Sequence, residues 1–237
     1  MTAHMTAPHP LKLFIANKNY SSWSLRPWVL MRTLAIPFDE QLVPFGAGSQ
    51  AEVFGSFSPS AKVPCLVDGE TVVWDSLAIV EYLAEAHPAA WPAERSARAW
   101  ARSAAAEMHS GFFTVRNLCS MNCGVRVRID PWPPALQAEW DRLSALWDQG
   151  LARFGGPFLA GPHFTAVDAF FAPLAFRAQT YSPALSARSN EYLARLLALP
   201  AMQAWYAEAL AEPWRHAGHE DELLAAGRVL QDLRAPR

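Results

Sequence analysis

Two adjacent serines, Ser21 and Ser22, stand in a polar segment, Asn17 to Ser22, between a short apolar run and a helical stretch. A hydroxyl at such a junction can donate a hydrogen bond to an anion, and the start of the following helix adds partial positive charge. Asp75-Ser76 repeats the arrangement. There the free N–H groups of a helix start can hold a carboxylate, the Ser76 hydroxyl adds a donor, and Asp75 can face an ammonium. The same residue types also serve as plain turn formers and helix caps. No cysteine lies in the serine turn, so attack by a thiolate of the protein itself is not available there. Cys119, Cys123 and His109 fall too far from the four tightly spaced ligands of a structural zinc, so no metal is expected and the three cysteines, Cys65 included, read as core.

The elements that must position these residues follow from pattern. Leu11 to Ala16 has strand length and character, and Ser24 reads as an N-cap with Pro27 in the first turn of a helix reaching Leu34. Pro37 ends that helix, and Phe38 to Pro44 alternates as a second strand. Gly46 to Pro59 is irregular. Lys62 to Gly69 then gives a strand ending on the hairpin signal Asp68-Gly69, Thr71 to Trp74 gives its partner, and a helix runs from about Leu77 to Ala86. His87 to Pro92 carries two prolines and reads as linker. Beyond it Leu136, Trp140, Leu143, Trp147, Leu151 and Phe154 recur at helical spacing, and no strand signal competes. Thr165 to Asp168 resembles a capping box, followed by Val167, Phe170, Phe171 and Leu174 on one face of a central helix that Pro173 bends. The expected division is a disordered lead-in at 1–10, an α/β domain at 11–87, a linker at 88–95 and an all-helical domain at 96–237.

Composition sets outer bounds. With 237 residues, 51% of them hydrophobic, the chain can fill one large core or two modest ones. A charged fraction of 18% and a net charge of -2 leave no basic face for a nucleic acid. No apolar stretch nears the roughly 20 residues of a membrane span, and the first ten residues do not read as a signal peptide. Three cysteines are too few for a disulfide framework, which points to a reducing compartment and the cytoplasm.

Tyr20-Ser21-Ser22-Trp23-Ser24-Leu25-Arg26-Pro27, Lys62-Val63-Pro64-Cys65-Leu66, Asp75 to Leu83 and Phe164 to Asp168 occur in an order and at separations that resemble the cytosolic glutathione S-transferases, nearest the zeta-like serine type. The resemblance implies a thioredoxin-like N-terminal domain plus an all-α C-terminal domain, with glutathione as co-substrate. The glutathione thiol has a pKa around 8.5, so a donor that stabilises its anion is required. The resemblance assigns that role to Ser21, with Ser22 left open, and lets Arg26 add positive potential. Val63-Pro64 implies a cis step whose backbone pairs with the cysteinyl part of the peptide, Asp75 and Ser76 hold the γ-glutamyl end, Gln50 or Ser49 supplies a polar contact, and Lys62 can meet the glycine carboxylate. Trp23, Phe112, Phe113 and Arg116 are candidates for the pocket of a hydrophobic electrophile. Trp23 stands where zeta-type proteins carry a cysteine, which argues against maleylacetoacetate isomerisation. A homodimer is implied and no metal or redox cofactor. A scaffold that kept the fold and lost the chemistry, or a glutathione-dependent isomerase or peroxidase, are the alternatives.

Overall fold

The structure, a computed structural model, describes residues 10–46 and 48–236. The lead-in expected at the N-terminus falls, apart from Pro10, outside the described residues. Strand β1 (Leu11–Ile15) turns Leu13 and Ile15 into the core and leads through a turn into helix α1 (Ser22–Thr33) and strand β2 (Phe38–Leu42). A short helix α2 (Gln50–Gly55) precedes the hairpin β3 (Cys65–Asp68) and β4 (Thr71–Trp74), and helix α3 (Ser76–Ala86) closes the unit. The sheet order is β2-β1-β3-β4, with β1 parallel to β2 and antiparallel to β3. This is the β-α-β then β-β-α arrangement expected of a thioredoxin-like domain.

Three local readings are corrected. Helix α1 begins at Ser22 with Ser21 in the N-cap position, so Ser24 is an early helical residue instead of the cap. Ser24 is used differently: its Oγ accepts from the Ala16 amide at 3.4 Å and from the Ser21 hydroxyl at 2.7 Å, tying β1 to α1. Pro27 therefore lies inside the helix, where it removes the amide that would bond the Trp23 carbonyl. The segment expected to be irregular contains α2, capped by the Ser49 hydroxyl, which accepts from Glu52 N at 3.3 Å.

After a 3-10 turn at Pro88–Ala90 the chain is mainly helical: α4 (Arg95–Ser110), α5 (Phe113–Leu118), α6 (Pro134–Phe154), α7 (Ala166–Tyr181), α8 (Ala187–Leu197), α9 (Pro200–Ala211) and α10 (Ala217–Ala226). Two strands that sequence reading did not anticipate, β5 (Val125–Arg128) and β6 (Arg228–Asp232), pair antiparallel in this half. Helix α7 packs on α1, α4 and α8, and all of it is buried except Ala178 and Gln179. A helix enclosed on nearly every side must be largely apolar all round, and from Ala166 to Ala178 its sequence is, apart from Asp168 and Arg177. Asp168 fixes the start of α7: one carboxylate oxygen accepts from Thr165 N at 2.9 Å, the other from Leu159 N and the Tyr192 hydroxyl, both at 3.0 Å. Burial nonetheless pushes its pKa up to about 6.

The turn between β1 and α1 is clamped by the helical half. Lys18 is buried, with its ammonium against Glu40 at 2.5 Å and against Glu208, beside the rings of Trp28 and Trp205. Trp205 Nε1 donates to the Lys18 carbonyl at 2.8 Å. At the far end of the chain Arg234 pairs with Glu220 at 2.9 Å and with Asp232, while the Tyr20 hydroxyl donates to Glu220 at 2.7 Å. All three cysteines are buried and unpaired. Among the described residues no helix is long and apolar enough to cross a membrane.

Candidate functional site

The clamped turn delivers Ser21 and Ser22 to the lining of a cavity of about 250 Å3. The Asn17 carbonyl accepts from both Tyr20 N (3.1 Å) and Ser21 N (2.9 Å), which bends the chain out of β1 and presents both hydroxyls at the helix start. The Ser21 side chain makes no capping bond to its own helix; Ser22 N donates to the Tyr20 carbonyl at 2.9 Å, and the next amides, of Trp23 and Ser24, are left for another acceptor. Ser22 Oγ accepts from the guanidinium of Arg177 at 3.3 Å. Its own hydrogen remains free to donate.

Gln50, Lys62 and Val63 line the same cavity. The Val63–Pro64 peptide is cis, and Pro64 is buried beneath it. The paired ladder of β3 starts only at Cys65, so the Val63 backbone lies outside it. Of the two polar candidates in the α2 segment, Gln50 lines the cavity and donates to the Ala61 carbonyl at 3.0 Å, whereas Ser49 is occupied as the cap of α2.

Asp75 and Ser76 do not line this cavity; they form the start of α3, next to it through Arg26. Asp75 has φ 76, a left-handed conformation uncommon for a residue with a side chain, and its Oδ1 accepts from Leu77 N at 2.8 Å. Its Oδ2 lies 3.5 Å from His109 Nε2, a partner from the helical half. Burial is the main force that depresses the His109 pKa, with Asp75 opposing it. Ser76 Oγ accepts from Arg26 Nη1 at 3.4 Å. Arg26 is buried, and burial together with the like charges of Arg116 and Arg177 lowers its pKa to about 9.

The aromatic candidates divide. Trp23 lines the cavity, with the guanidiniums of Arg26 and Arg116 at 4.1 and 4.4 Å from its ring centre and His109 edge-on at 5.3 Å. Arg116 also lines it. Phe112 and Phe113 do not: Phe112 turns into the core as the residue before α5, and Phe113 is 60% exposed outside the cavity. The remaining wall, which sequence reading missed, comes from Tyr20, Phe45, Phe54, Ser120, Met121, Arg177, His219 and Glu222. Of these, Arg177 alone left a usable signal, as a cation in a buried, largely apolar helix. A larger cleft of about 900 Å3 beside Thr33, Trp91 and Phe164 is reached by none of the serine, Val-Pro or Asp-Ser motifs. Among the described residues no group of three or more His, Cys, Asp or Glu is placed to hold a metal.

Comparison with known proteins agrees with this fold. Residues 20–86 match the family described as glutathione S-transferase, N-terminal domain, and residues 94–208 match the corresponding C-terminal domain. A glutathione S-transferase of the zeta class from Euphorbia esula is 29% identical over 175 residues, covering 72% of this chain and 78% of that protein. A glutathione transferase homologue from Burkholderia, solved with bound glutathione, superposes with TM-score 0.64 at 22% identity over 85% of this chain and 98% of its own. A theta-class enzyme from Xanthomonas axonopodis pv. citri, also with glutathione bound, gives TM-score 0.62 at 23% identity, covering 84% and 98%. With both of its family domains matched in order, a mixed sheet followed by a helical half, and a serine turn opening on a cavity, the chain belongs to the glutathione S-transferase family.

Proposed function

We propose that this protein binds glutathione and presents its sulfur as a thiolate to an electrophile in the cavity beside Ser21 and Ser22. The observation that carries this reading is one cavity lined both by Ser21, Ser22 and Trp23 at the start of α1 and by Val63, whose backbone lies outside the β3 ladder. In the reaction the Ser21 hydroxyl turns its hydrogen from Ser24 Oγ to the sulfur and the helix start adds partial positive charge, so the thiol loses its proton to solvent more readily. The sulfur then forms a bond to the electrophilic carbon as the leaving group departs with its electron pair. The Val63 backbone pairs with the cysteinyl unit in the manner of an added strand. Gln50 and Lys62 take the glycine end, and Asp75, Ser76 and the start of α3 take the γ-glutamyl end. Residues 11–87 serve as the glutathione-binding domain, 88–95 as linker and 96–237 as the helical domain.

A cytoplasmic homodimer belongs to the same reading. Val72 and Trp74 of β4 are exposed directly beside Asp75, and an apolar strip at that place suits a partner subunit.

The test is the pH dependence of conjugation to 1-chloro-2,4-dinitrobenzene, combined with calorimetric titration of glutathione. Ser21→Ala should lower turnover about a hundredfold and shift the rising limb to higher pH, while glutathione affinity changes by less than about threefold. A Ser21→Ala protein with unaltered turnover, and a Ser22→Ala protein showing those changes instead, would move the role to Ser22. A chain that gives no heat with glutathione ends the proposal.

A further inference from the structure

Buried cations elsewhere in this molecule have carboxylate partners: Lys18 has Glu40 and Glu208, and Arg234 has Glu220 and Asp232. The guanidiniums around the cavity do not. Arg177 is 6% exposed and donates to the carbonyls of Arg116 (3.3 Å) and Cys119 and to Ser22 Oγ (3.3 Å), all uncharged oxygens. Arg116 donates to the carbonyls of His109 and Gly111 at 3.2 and 3.4 Å. Among the described residues neither has a carboxylate within ion-pair distance, although both line the cavity and Arg26 stands close behind. Among the described residues the single carboxylate on the lining, Glu222, is exposed.

Withdrawing a charge from water without a counter-charge is costly, and burial lowers the Arg177 pKa to about 10. Such a group is stabilised when an anion arrives and gives charge-assisted hydrogen bonds in a dry setting. Glutathione's sulfur supplies one negative charge at Ser21, whereas two guanidiniums line the cavity.

We infer that the electrophile taken by this cavity carries a carboxylate, seated against Arg177 and Arg116, with its apolar part against Trp23, Phe45 and Met121. This deepens the proposed function and rests on it. The preference is a matter of ground-state and product binding as well as turnover, so it can be read without catalysis.

The probes are two unreactive glutathione conjugates of one shape, S-benzylglutathione and S-(4-carboxybenzyl)glutathione, titrated into the full chain by calorimetry. The carboxylate conjugate should bind about tenfold more tightly, and the ratio should fall to about one in both Arg177→Gln and Arg116→Gln. Arg116 is only half-buried and keeps the test alive should Arg177→Gln fail to fold. Equal affinities in the unaltered protein, or a preference that survives Arg116→Gln, overturns the inference while leaving glutathione binding standing. A further overturning result is a glutathione thiol pKa that rises in Arg177→Gln with the conjugate ratio unchanged, because the guanidinium would then serve the sulfur alone. If neither conjugate nor glutathione binds, the parent reading fails and takes this one with it.

Discussion

Asp168 and Arg177 occupy the same enclosed helix, and their surroundings differ in one respect. Asp168 is ringed by donors: two backbone amides and the Tyr192 hydroxyl. Arg177 meets only neutral oxygens and borders an open cavity. A buried charge whose hydrogen-bonding capacity is filled from within belongs to the fold, and one left without an opposing charge beside empty space is disposed toward a ligand. The contrast gives four expectations.

The largest concerns Asp168→Ala, which orphans the Leu159 and Thr165 amides and the Tyr192 hydroxyl. It should cost about 4 kcal/mol, read as a fall in Tm of roughly 10 °C or a failure to fold. Next is pH. The Asp168 pKa is raised from 3.8 to about 6 in the folded protein, so the unfolded chain releases this proton first. The stability this group contributes is therefore complete below pH 4 and is lost as pH rises through about 6, by on the order of 3 kcal/mol. Subtracting the Tm against pH curve of Asp168→Asn from that of the unaltered chain isolates the effect, and a flat difference would break the comparison.

Arg177→Met should behave otherwise. Three neutral acceptors lose a donor but a desolvated charge disappears, so stability should change by no more than about 1 kcal/mol, measured by urea unfolding. A loss as large as that of Asp168→Ala would make Arg177 another structural charge and erase the distinction. The smallest effect is at Glu222, whose exposed carboxylate shares the cavity with the arginines. Glu222→Gln should tighten binding of the carboxylate conjugate about twofold and leave the uncharged one unmoved, as screened rim charges do.

Much of this was legible in the sequence, and the residues explain which parts were not. The first strand, the hairpin announced by Asp68-Gly69, the helix opened by Asp75-Ser76 and the aromatic periodicity of α6 are local signals, and the structure has each element within a few residues of its expected place. The start of α1 slipped because Ser21, Ser22 and Ser24 all suit a cap, and tertiary bonding to Ala16 decided among them. Strands β5 and β6 escaped because Val125–Arg128 and Arg228–Asp232 are short, charged and paired across most of the helical half. The cavity was half visible: the wall near the serines is encoded in contiguous motifs. Its other wall is not, since Arg177 reaches Ser22 across 155 residues of chain. Phe112 and Phe113 were misplaced because aromatic character does not say which way a side chain turns; the φ of 58 at Phe112 sends the two apart.

The pairing of β6 with β5, secured by Arg234 on Glu220, has a consequence for how occupancy can be sensed. Helix α10, which contributes His219 and Glu222 to the cavity, is buckled in place by residues that lie beyond it in the chain. Filling of the cavity and fastening of the buckle then share one free energy, each favouring the other by the same factor. Protease digestion at the C-terminal strand should slow in proportion to bound conjugate, and a fusion that pulls β6 off its partner should weaken binding without altering a single residue of the wall.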